Sequence, residues 1–330
     1  MPGMKRSFLA VLAAALLLPA PAGATLAYLK GAEVFVSKDD GTAAKSLGFA
    51  LPSTMGGRLK LAPGGGAVAV DDPNRNVAVV RGRTRRTVFK HASSFAWLDG
   101  TTLALGRATR FTYEVWLLGS TGAAHRIYTH GVPCGPAEGG CQFPAVALAG
   151  SPNGRRIAIY GDVNAGLTVI GRDGHTFFRQ VSSDFSTQTI GVAWRPGTAA
   201  LAAAEANTKS DGGALVLVSA SGGRRVLFRS STRVLVSPSW SPDGKQLAFG
   251  RPAANDSRLQ LARYPLAAGR AIFRPGSVAV TTGGIGAWIS PTRWLVGYDK
   301  AIRAVDPSAP TKPAPALVKT TGAFDWQPSR

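Results

Sequence analysis

Short apolar runs separated by turn residues make up most of the chain. The clearest unit has four such runs, at residues 234–240, 246–250, 258–262 and 270–273. Apolar runs of this length, bounded by Gly, Pro, Asn and Asp, are typical of β-strands joined by tight turns. After the N-terminal segment, no window of a dozen residues shows the apolar period of an amphipathic helix. The pattern therefore predicts an all-β chain of up-and-down strands.

One turn phrase recurs along the chain. It reads Trp-Ser-Pro-Asp-Gly at residues 240–244, and weaker copies of it occur elsewhere. Counting this copy, the position that corresponds to the Trp falls at residues 61, 97, 150, 194, 240, 288 and 326. The mean spacing is about 44 residues, the length of one propeller blade built from a four-stranded sheet. A β-sandwich is the alternative, since it also has short strands at regular spacing. That architecture gives no reason to repeat one phrase seven times.

The phrase at 240–244 resembles the WD40-like repeat of the TolB propeller family nearly letter for letter. The resemblance extends over residues 26–326 and implies a β-propeller. It does not imply one function, because the same repeat occurs in the propeller of prolyl-oligopeptidase-like peptidases and in some polysaccharide lyases.

The two ends of the chain predict the number of blades. The first unit begins directly with apolar runs at 26–30, 33–36 and 44–47 and lacks a Trp-turn strand, whereas residues 323–327 supply an additional one. A C-terminal strand that completes the first blade closes the ring and leaves no open edge. We therefore expect seven blades. Six and eight remain alternatives because the copies at Leu61 and Gly150 lack Trp.

The first 24 residues have the features of a secretory signal peptide. Lys5 and Arg6 precede an apolar stretch at 8–18, and Ala22-Gly23-Ala24 fits a cleavage site. An uncleaved anchor is the alternative, although the stretch is shorter than an ordinary membrane span. We expect residues 25–330 to form one soluble, monomeric propeller domain in the periplasm, the cell wall or the extracellular space.

Cys134 and Cys141 bracket a Gly-rich segment of six residues. In an oxidising compartment such a pair is expected to form a disulfide. A metal site is the alternative, but two cysteines without paired histidines make a poor one. The disulfide would pin the loop 129–144, which is the longest connection between blades and displays His130 and Glu138.

Charge is a second feature. The chain has 38 Lys and Arg against 18 Asp and Glu, a net charge of +20, which becomes +18 without Lys5 and Arg6. A positive surface attracts polyanions at low salt. Outside the cytoplasm these are anionic polysaccharide, phosphate polymers, lipid headgroups or released nucleic acid, and no sequence-specific nucleic-acid recognition is expected. A GC-rich genome would account for the excess of Arg over Lys, but not for the scarcity of acidic residues.

Propeller topology assigns loops to two faces. We call top the face that carries the loops from fourth to first strands and from second to third strands, and bottom the opposite face. On this map Arg107, Arg110 and Arg251 lie on top near the channel mouth. The sequence predicts a top-face ligand or partner site formed by Arg107, Arg110, His130, Glu138 and Arg251.

Catalytic motifs are scarce. The chain has no Gly-x-Ser-x-Gly nucleophile elbow and no phosphate-cradling glycine motif, so we expect no catalytic residue, metal or cofactor. Our interpretation is an exported, non-enzymatic binding module, a scaffold for a protein or peptide partner with affinity for anionic envelope polymers. The alternative is a lyase or hydrolase acting on an anionic polysaccharide, in which His91 and His130 meet at one channel mouth.

Overall fold

A computed structural model describes residues 26–51, 58–109, 112–131, 146–161, 166–180, 186–252, 258–298, 300–306 and 314–327. These residues form strands, turns and bends, and none of them belongs to a helix that could cross a membrane. The strands assemble into seven four-stranded antiparallel blades arranged in a ring. The predicted seven-bladed, all-β fold is confirmed.

The strands are numbered in chain order. They are β1 (Leu26–Lys30), β2 (Glu33–Ser37), β3 (Lys45–Ala50), β4 (Leu59–Leu61), β5 (Val68–Asp71), β6 (Val77–Arg81), β7 (Thr84–Phe89), β8 (Ser94–Trp97), β9 (Leu103–Ala108), β10 (Thr112–Leu118), β11 (Ala124–Gly131), β12 (Ala147–Gly150), β13 (Arg156–Tyr160), β14 (Leu167–Gly171), β15 (Thr176–Gln180), β16 (Thr187–Trp194), β17 (Leu201–Asn207), β18 (Gly213–Val218), β19 (Arg224–Ser230), β20 (Val236–Trp240), β21 (Gln246–Pro252), β22 (Arg258–Pro265), β23 (Ile272–Phe273), β24 (Val278–Ser290), β25 (Arg293–Tyr298), β26 (Ala301–Val305), β27 (Ala316–Lys319) and β28 (Phe324–Trp326).

Each blade takes four strands, and its first strand lies innermost. Blade 1 consists of β28, β1, β2 and β3, and blades 2 to 7 take consecutive groups of four from β4 onward. Each innermost strand contacts the innermost strands of both neighbouring blades, so the seven together surround a central channel. Blades 6 and 7 are further linked because the start of β24 also pairs with the start of β22.

Tryptophans of the repeated phrase bond adjacent blades to one another. In each case the indole Nε1 donates to a backbone carbonyl of the preceding blade's innermost strand, at 2.9–3.1 Å. Each acceptor directly precedes the repeat position of its own blade. The pairs are Trp97 to Lys60, Trp194 to Ala149, Trp240 to Ala193 and Trp288 to Ser239. The phrase recurs because one residue both fills the wedge between blades and satisfies a carbonyl there.

The two repeat positions that lack Trp, Leu61 and Gly150, contact the neighbouring blade in other ways. At Gly150 a Cβ would lie 2.4 Å from the carbonyl oxygen of Trp97, so the missing side chain lets β12 approach blade 3 closely. At Leu61 the backbone N–H donates to Oδ2 of Asp325 at 2.8 Å. Both blades therefore keep their place in the ring through backbone contacts.

Ring closure occurs as predicted. Strand β28 pairs antiparallel with β1, with Leu26 opposite Trp326 and Tyr28 opposite Phe324. Asp325, between those two aromatic residues, also lies 3.5 Å from Nζ of Lys60 in blade 2. Its negative charge raises the pKa of Lys60. The C-terminal strand thus completes blade 1 and contacts blade 2.

A β-bulge recurs in the outermost strand of five blades. In each, one additional residue interrupts the register with the third strand. Bulges increase local twist and disfavour pairing at an exposed sheet edge. The inserted residues are Val88, Ile127, Phe177, Leu227 and Leu317.

Several bottom-face arginines connect neighbouring blades. Arg172 donates to Asp99 at 2.9 Å and to Thr102 at 2.6 Å. Arg156 donates to the carbonyl oxygen of Ala220 at 3.1 Å, and Arg195 donates to the carbonyl oxygen of Gly244 at 2.9 Å. Part of the positive charge on this face therefore stabilises the ring.

Asp99→Asn is expected to reduce stability in a pH-dependent way. Burial alone would raise the pKa of Asp99, but hydrogen bonds from Thr101 and Thr102 outweigh it and lower the pKa to about 2. A carboxylate with a depressed pKa stabilises the fold above its unfolded value near 3.8, and that contribution is lost as pH falls toward 2. Because Asp99 is partly exposed, we expect a cost of about 1 kcal/mol at pH 7.

Denaturant unfolding of both proteins at pH 7 and pH 2.5 measures this effect. The difference in unfolding free energy between wild type and Asp99→Asn should shrink at the lower pH. A difference that stays constant over this range would contradict the assignment.

Candidate anion-binding site

Arg107 is engaged in a structural cluster between blades 2 and 3. Its Nη2 lies 2.7 Å from Oε2 of Glu114, and its guanidinium stacks 5.0 Å from the ring centre of Trp116. Glu114 is buried and also accepts hydrogen bonds from Arg126 and Trp116. Burial alone would raise the pKa of Glu114, but the hydrogen bonds from Arg107 and Arg126 outweigh it and lower the pKa. Arg107 thus neutralises a buried carboxylate.

His130 packs against aromatic residues of its own blade. It lies in β11, the outermost strand of blade 3, with its ring centre 5.5 Å from Tyr113 and 6.5 Å from Tyr128. Burial lowers the pKa of His130, and the nearby charge of Arg179 lowers it further. Both effects favour the uncharged imidazole, which is a poor attractor of anions.

The pairing of His91 with His130 is not supported by their positions. His91 precedes β8, the innermost strand of blade 3, whereas His130 belongs to the outermost strand of the same blade. Three strand spacings, roughly 14 Å, separate these two strands. In the part of the chain that the structure describes, no group of three or more His, Cys, Asp or Glu side chains could hold a metal ion.

Four of the predicted residues lie outside the described ranges. They are Arg110, Cys134, Glu138 and Cys141. The disulfide and the display of Glu138 stay predictions, whereas residues 129–131, the start of the predicted loop, belong to strand β11.

Arg251 lines a cavity on the top face of blade 6. The cavity measures about 420 Å³, within the range of small-molecule sites. It is bounded by the end of β21, the loop that enters β20 and the loop that enters β24. The residues that line it are Thr232, Arg233, Arg251, Pro252, Gln260, Gly276 and Ser277.

Neutral partners hold the Arg251 guanidinium. The guanidinium lies 4.2 Å from the ring centre of Phe273, a cation–π contact, and Nη2 donates to Oε1 of Gln260. Gln260 is itself fixed because its Nε2 donates to the carbonyl oxygen of Arg274 at 3.1 Å. Arg251 is therefore positioned at the cavity without a described carboxylate to neutralise it.

Arg233 approaches the cavity from the loop between β19 and β20. Its backbone N–H donates to Oγ of Ser230 at 3.1 Å, which fixes the turn. Its Nη1 donates to the carbonyl oxygen of Thr232 at 2.9 Å. On the opposite wall, Arg258 Nη2 donates to the carbonyl oxygen of Ser277 at 2.6 Å, which anchors that loop.

The cavity has a positive electrostatic character. None of its described lining residues is acidic, and two arginines line it together with Thr232 and Ser277. Asp256, the acidic residue nearest in sequence to Arg251, lies outside the described residues. Guanidinium groups match carboxylate and phosphate geometry and form strong charge-assisted hydrogen bonds with them. The arrangement is therefore suited to binding an anionic group.

The chain is a seven-bladed β-propeller, and solved structures with the same fold resemble it. A functionally unknown protein from Desulfotomaculum acetoxidans aligns at 11% identity over 93% of this chain and 100% of that one, with a TM-score of 0.63. Sqt1 from Saccharomyces cerevisiae aligns at 13% identity over 92% and 84%, with a TM-score of 0.60. Oligogalacturonate lyase from Vibrio parahaemolyticus aligns at 11% identity over 80% and 79%, with a TM-score of 0.57. At such identities the likeness shows the fold alone.

The comparisons leave the family open. TolB from Acinetobacter baumannii is also structurally similar, with a TM-score of 0.46. The chain spans about half of a prolyl endopeptidase, covering 48% of that protein at 18% identity. No protein-family model matches the chain, and no curated protein matches it.

Proposed function

We propose that this protein is an exported, non-enzymatic binding module, a scaffold for a protein or peptide partner and for anionic envelope polymers. Its top face takes up an acidic group of the ligand between Arg233 and Arg251. The observation that carries the proposal is the cavity on blade 6, which presents two arginines and no described acidic residue.

The ring supports this role physically. Loops on a rigid scaffold hold binding groups in place at low entropic cost, and both arginines are fixed by hydrogen bonds before a ligand arrives. The net charge, +20 for the whole chain and +18 without Lys5 and Arg6, adds long-range attraction for negatively charged partners. Export rests on the signal peptide predicted at residues 1–24.

Catalysis on an anionic polysaccharide is less well supported. Such an enzyme needs a base or a metal ion beside the bound anion. The described lining of the cavity has no His, Asp or Glu, and its arginines stay protonated at neutral pH. Binding accounts for these residues without a chemical step.

Replacing both Arg233 and Arg251 by Ala is expected to weaken binding of hexaglutamate and of polyuronate at least tenfold. A hydrogen bond to a charged group contributes roughly 1.5–3 kcal/mol, and about 1.4 kcal/mol corresponds to a factor of ten. Calorimetry of the purified protein at 20 and 150 mM salt measures the affinity. Wild-type affinity should fall as salt rises, because salt screens exposed charges.

The matched control is the double variant Arg83→Ala and Arg155→Ala, which removes the same charge from exposed bottom-face turns. It should retain binding. Retained binding in the Arg233/Arg251 variant, or an equal loss in the control, would contradict the proposed site.

A further inference from the structure

The arginine cavity has a neighbour, a second cavity on the top face of blade 5. This second cavity measures about 370 Å³. Ser230 and Ser231 line it, and the next two residues, Thr232 and Arg233, line the arginine cavity. Since consecutive Cα atoms are only about 3.8 Å apart, the two cavities adjoin at residues 231 and 232 on the top face.

The second cavity has a different chemistry. Apart from glycines, its described lining consists mainly of hydroxyl, amide and charged groups, with Ala206 and Ala214 as the apolar members. Protein partners usually insert aromatic or aliphatic anchors into apolar pockets, and this lining offers none. It suits a ligand rich in hydroxyl groups. The polar lining residues are Thr187, Glu205, Asn207, Ser210, Arg229, Ser230 and Ser231.

Close backbone packing gives the second cavity a fixed shape. The turn between β17 and β18 lies against the loop that follows β19. A Cβ at Gly213 would lie 2.8 Å from the carbonyl oxygen of Glu205 and 3.1 Å from the backbone nitrogen of Leu235, so only glycine permits this approach. The N–H of Gly212 donates to Oγ of Ser210 at 3.3 Å. The backbone of this wall and the hydroxyl group of Ser210 are therefore preorganised.

The charges of the two cavities determine which end of a ligand binds in each. Glu205, in the second cavity, is paired with Nη2 of Arg224 at 2.6 Å, whereas Arg233 and Arg251 in the first face no described carboxylate. Arg224 neutralises Glu205, and Arg229 also lines the second cavity, but the Glu205 carboxylate still accepts hydrogen bonds from hydroxyl groups. The anionic end of a ligand thus belongs in the arginine cavity, where no described carboxylate competes for the guanidinium groups, and its hydroxyl-bearing part belongs beside Glu205.

We propose that the two cavities form one cleft for an acidic oligosaccharide. A sugar carboxylate binds Arg233 and Arg251, and hydroxyl groups of the adjoining sugar bind Thr187, Glu205 and Ser231. This inference rests on the proposed function and narrows the ligand of this site from an acidic peptide to an acidic carbohydrate.

Three probes of equal length separate these ligands, namely trimannuronate, neutral maltotriose and triglutamate. Calorimetry of the purified protein should show trimannuronate binding at least tenfold tighter than either of the others. The double variant Thr187→Val and Ser231→Ala removes two hydroxyl groups from the second cavity. It should weaken trimannuronate binding about five- to tenfold and leave triglutamate binding unchanged.

The matched control is Ser120→Ala with Thr121→Val, which removes two exposed hydroxyl groups from a bottom-face turn of blade 3 and should change nothing. Melting curves verify that every variant is folded.

The outcomes separate this inference from the proposed function. Triglutamate binding as tight as trimannuronate, with no effect of Thr187→Val and Ser231→Ala, overturns the carbohydrate and leaves an arginine-dependent anion site. Tight maltotriose binding, or no trimannuronate binding at millimolar concentration, likewise overturns the inference. If the anionic probes bind equally well after Arg233 and Arg251 are replaced, both proposals are overturned.

Discussion

Trp240→Ala is expected to lower the free energy of unfolding by about 3–5 kcal/mol. The indole is 6% exposed and belongs to a core cluster formed by blades 5 and 6. Its Nε1 donates to the carbonyl oxygen of Ala193 at 3.1 Å. Truncation therefore creates a cavity between two blades and leaves a carbonyl of the innermost strand without its partner.

Two Phe variants distinguish the contribution of packing to stability from that of the indole hydrogen bond. Trp240→Phe keeps most of the packing and loses the bond to Ala193, with an expected cost of about 1–2 kcal/mol. Trp326 occupies the equivalent position in blade 1, but its buried Nε1 has no hydrogen-bond partner among the described residues. Trp326→Phe should therefore cost less than Trp240→Phe in urea unfolding. Equal costs would show that the indole hydrogen bond contributes little.

The repeated phrase was sufficient to predict the architecture because the innermost strand of each blade must pack against the preceding blade in the same way. All seven repeat positions lie in innermost strands, including Leu61 and Gly150, where the Trp is lost. The ends of strands were predicted less well. Strands β21 and β22 continue to Pro252 and Pro265, beyond apolar runs that end at Gly250 and Ala262. Backbone pairing extends there through Arg251 and Arg263, so hydropathy does not mark the end of the strand.

The candidate site was predicted only in part, because an arginine's role depends on what lies opposite it. Arg107 and Arg251 both end second strands, but β9 places Arg107 across from Glu114, whereas β21 places Arg251 across from Gln260. The short connection between Arg107 and Glu114 is a signal that could have predicted this ion pair. Arg233 reaches the same cavity from a different loop, and only the assembled ring brings it there.

Deleting residues 320–330 is expected to destabilise the protein by at least about 6 kcal/mol. The deletion removes β28, and with it the buried side chains of Phe324 and Trp326, each of which costs roughly 3–5 kcal/mol when truncated. Strand β1 would lose its innermost partner, which exposes the backbone edge of Leu26–Lys30. Because total stabilities are typically about 5–15 kcal/mol, most of the truncated protein should be unfolded or melt far below the full chain.

Two controls make this experiment interpretable. Deleting only residues 328–330 retains β28 and should leave the melting temperature unchanged. Asp325→Ala keeps the strand but removes the acceptor of the Leu61 N–H, with an expected cost of about 1–3 kcal/mol. Thermal and urea unfolding should therefore rank the variants in that order, with the 320–330 deletion the least stable. If this deletion melted like the full chain, β28 would not be the strand that closes the ring, and blade 1 would have to be stable with three strands and an open inner edge.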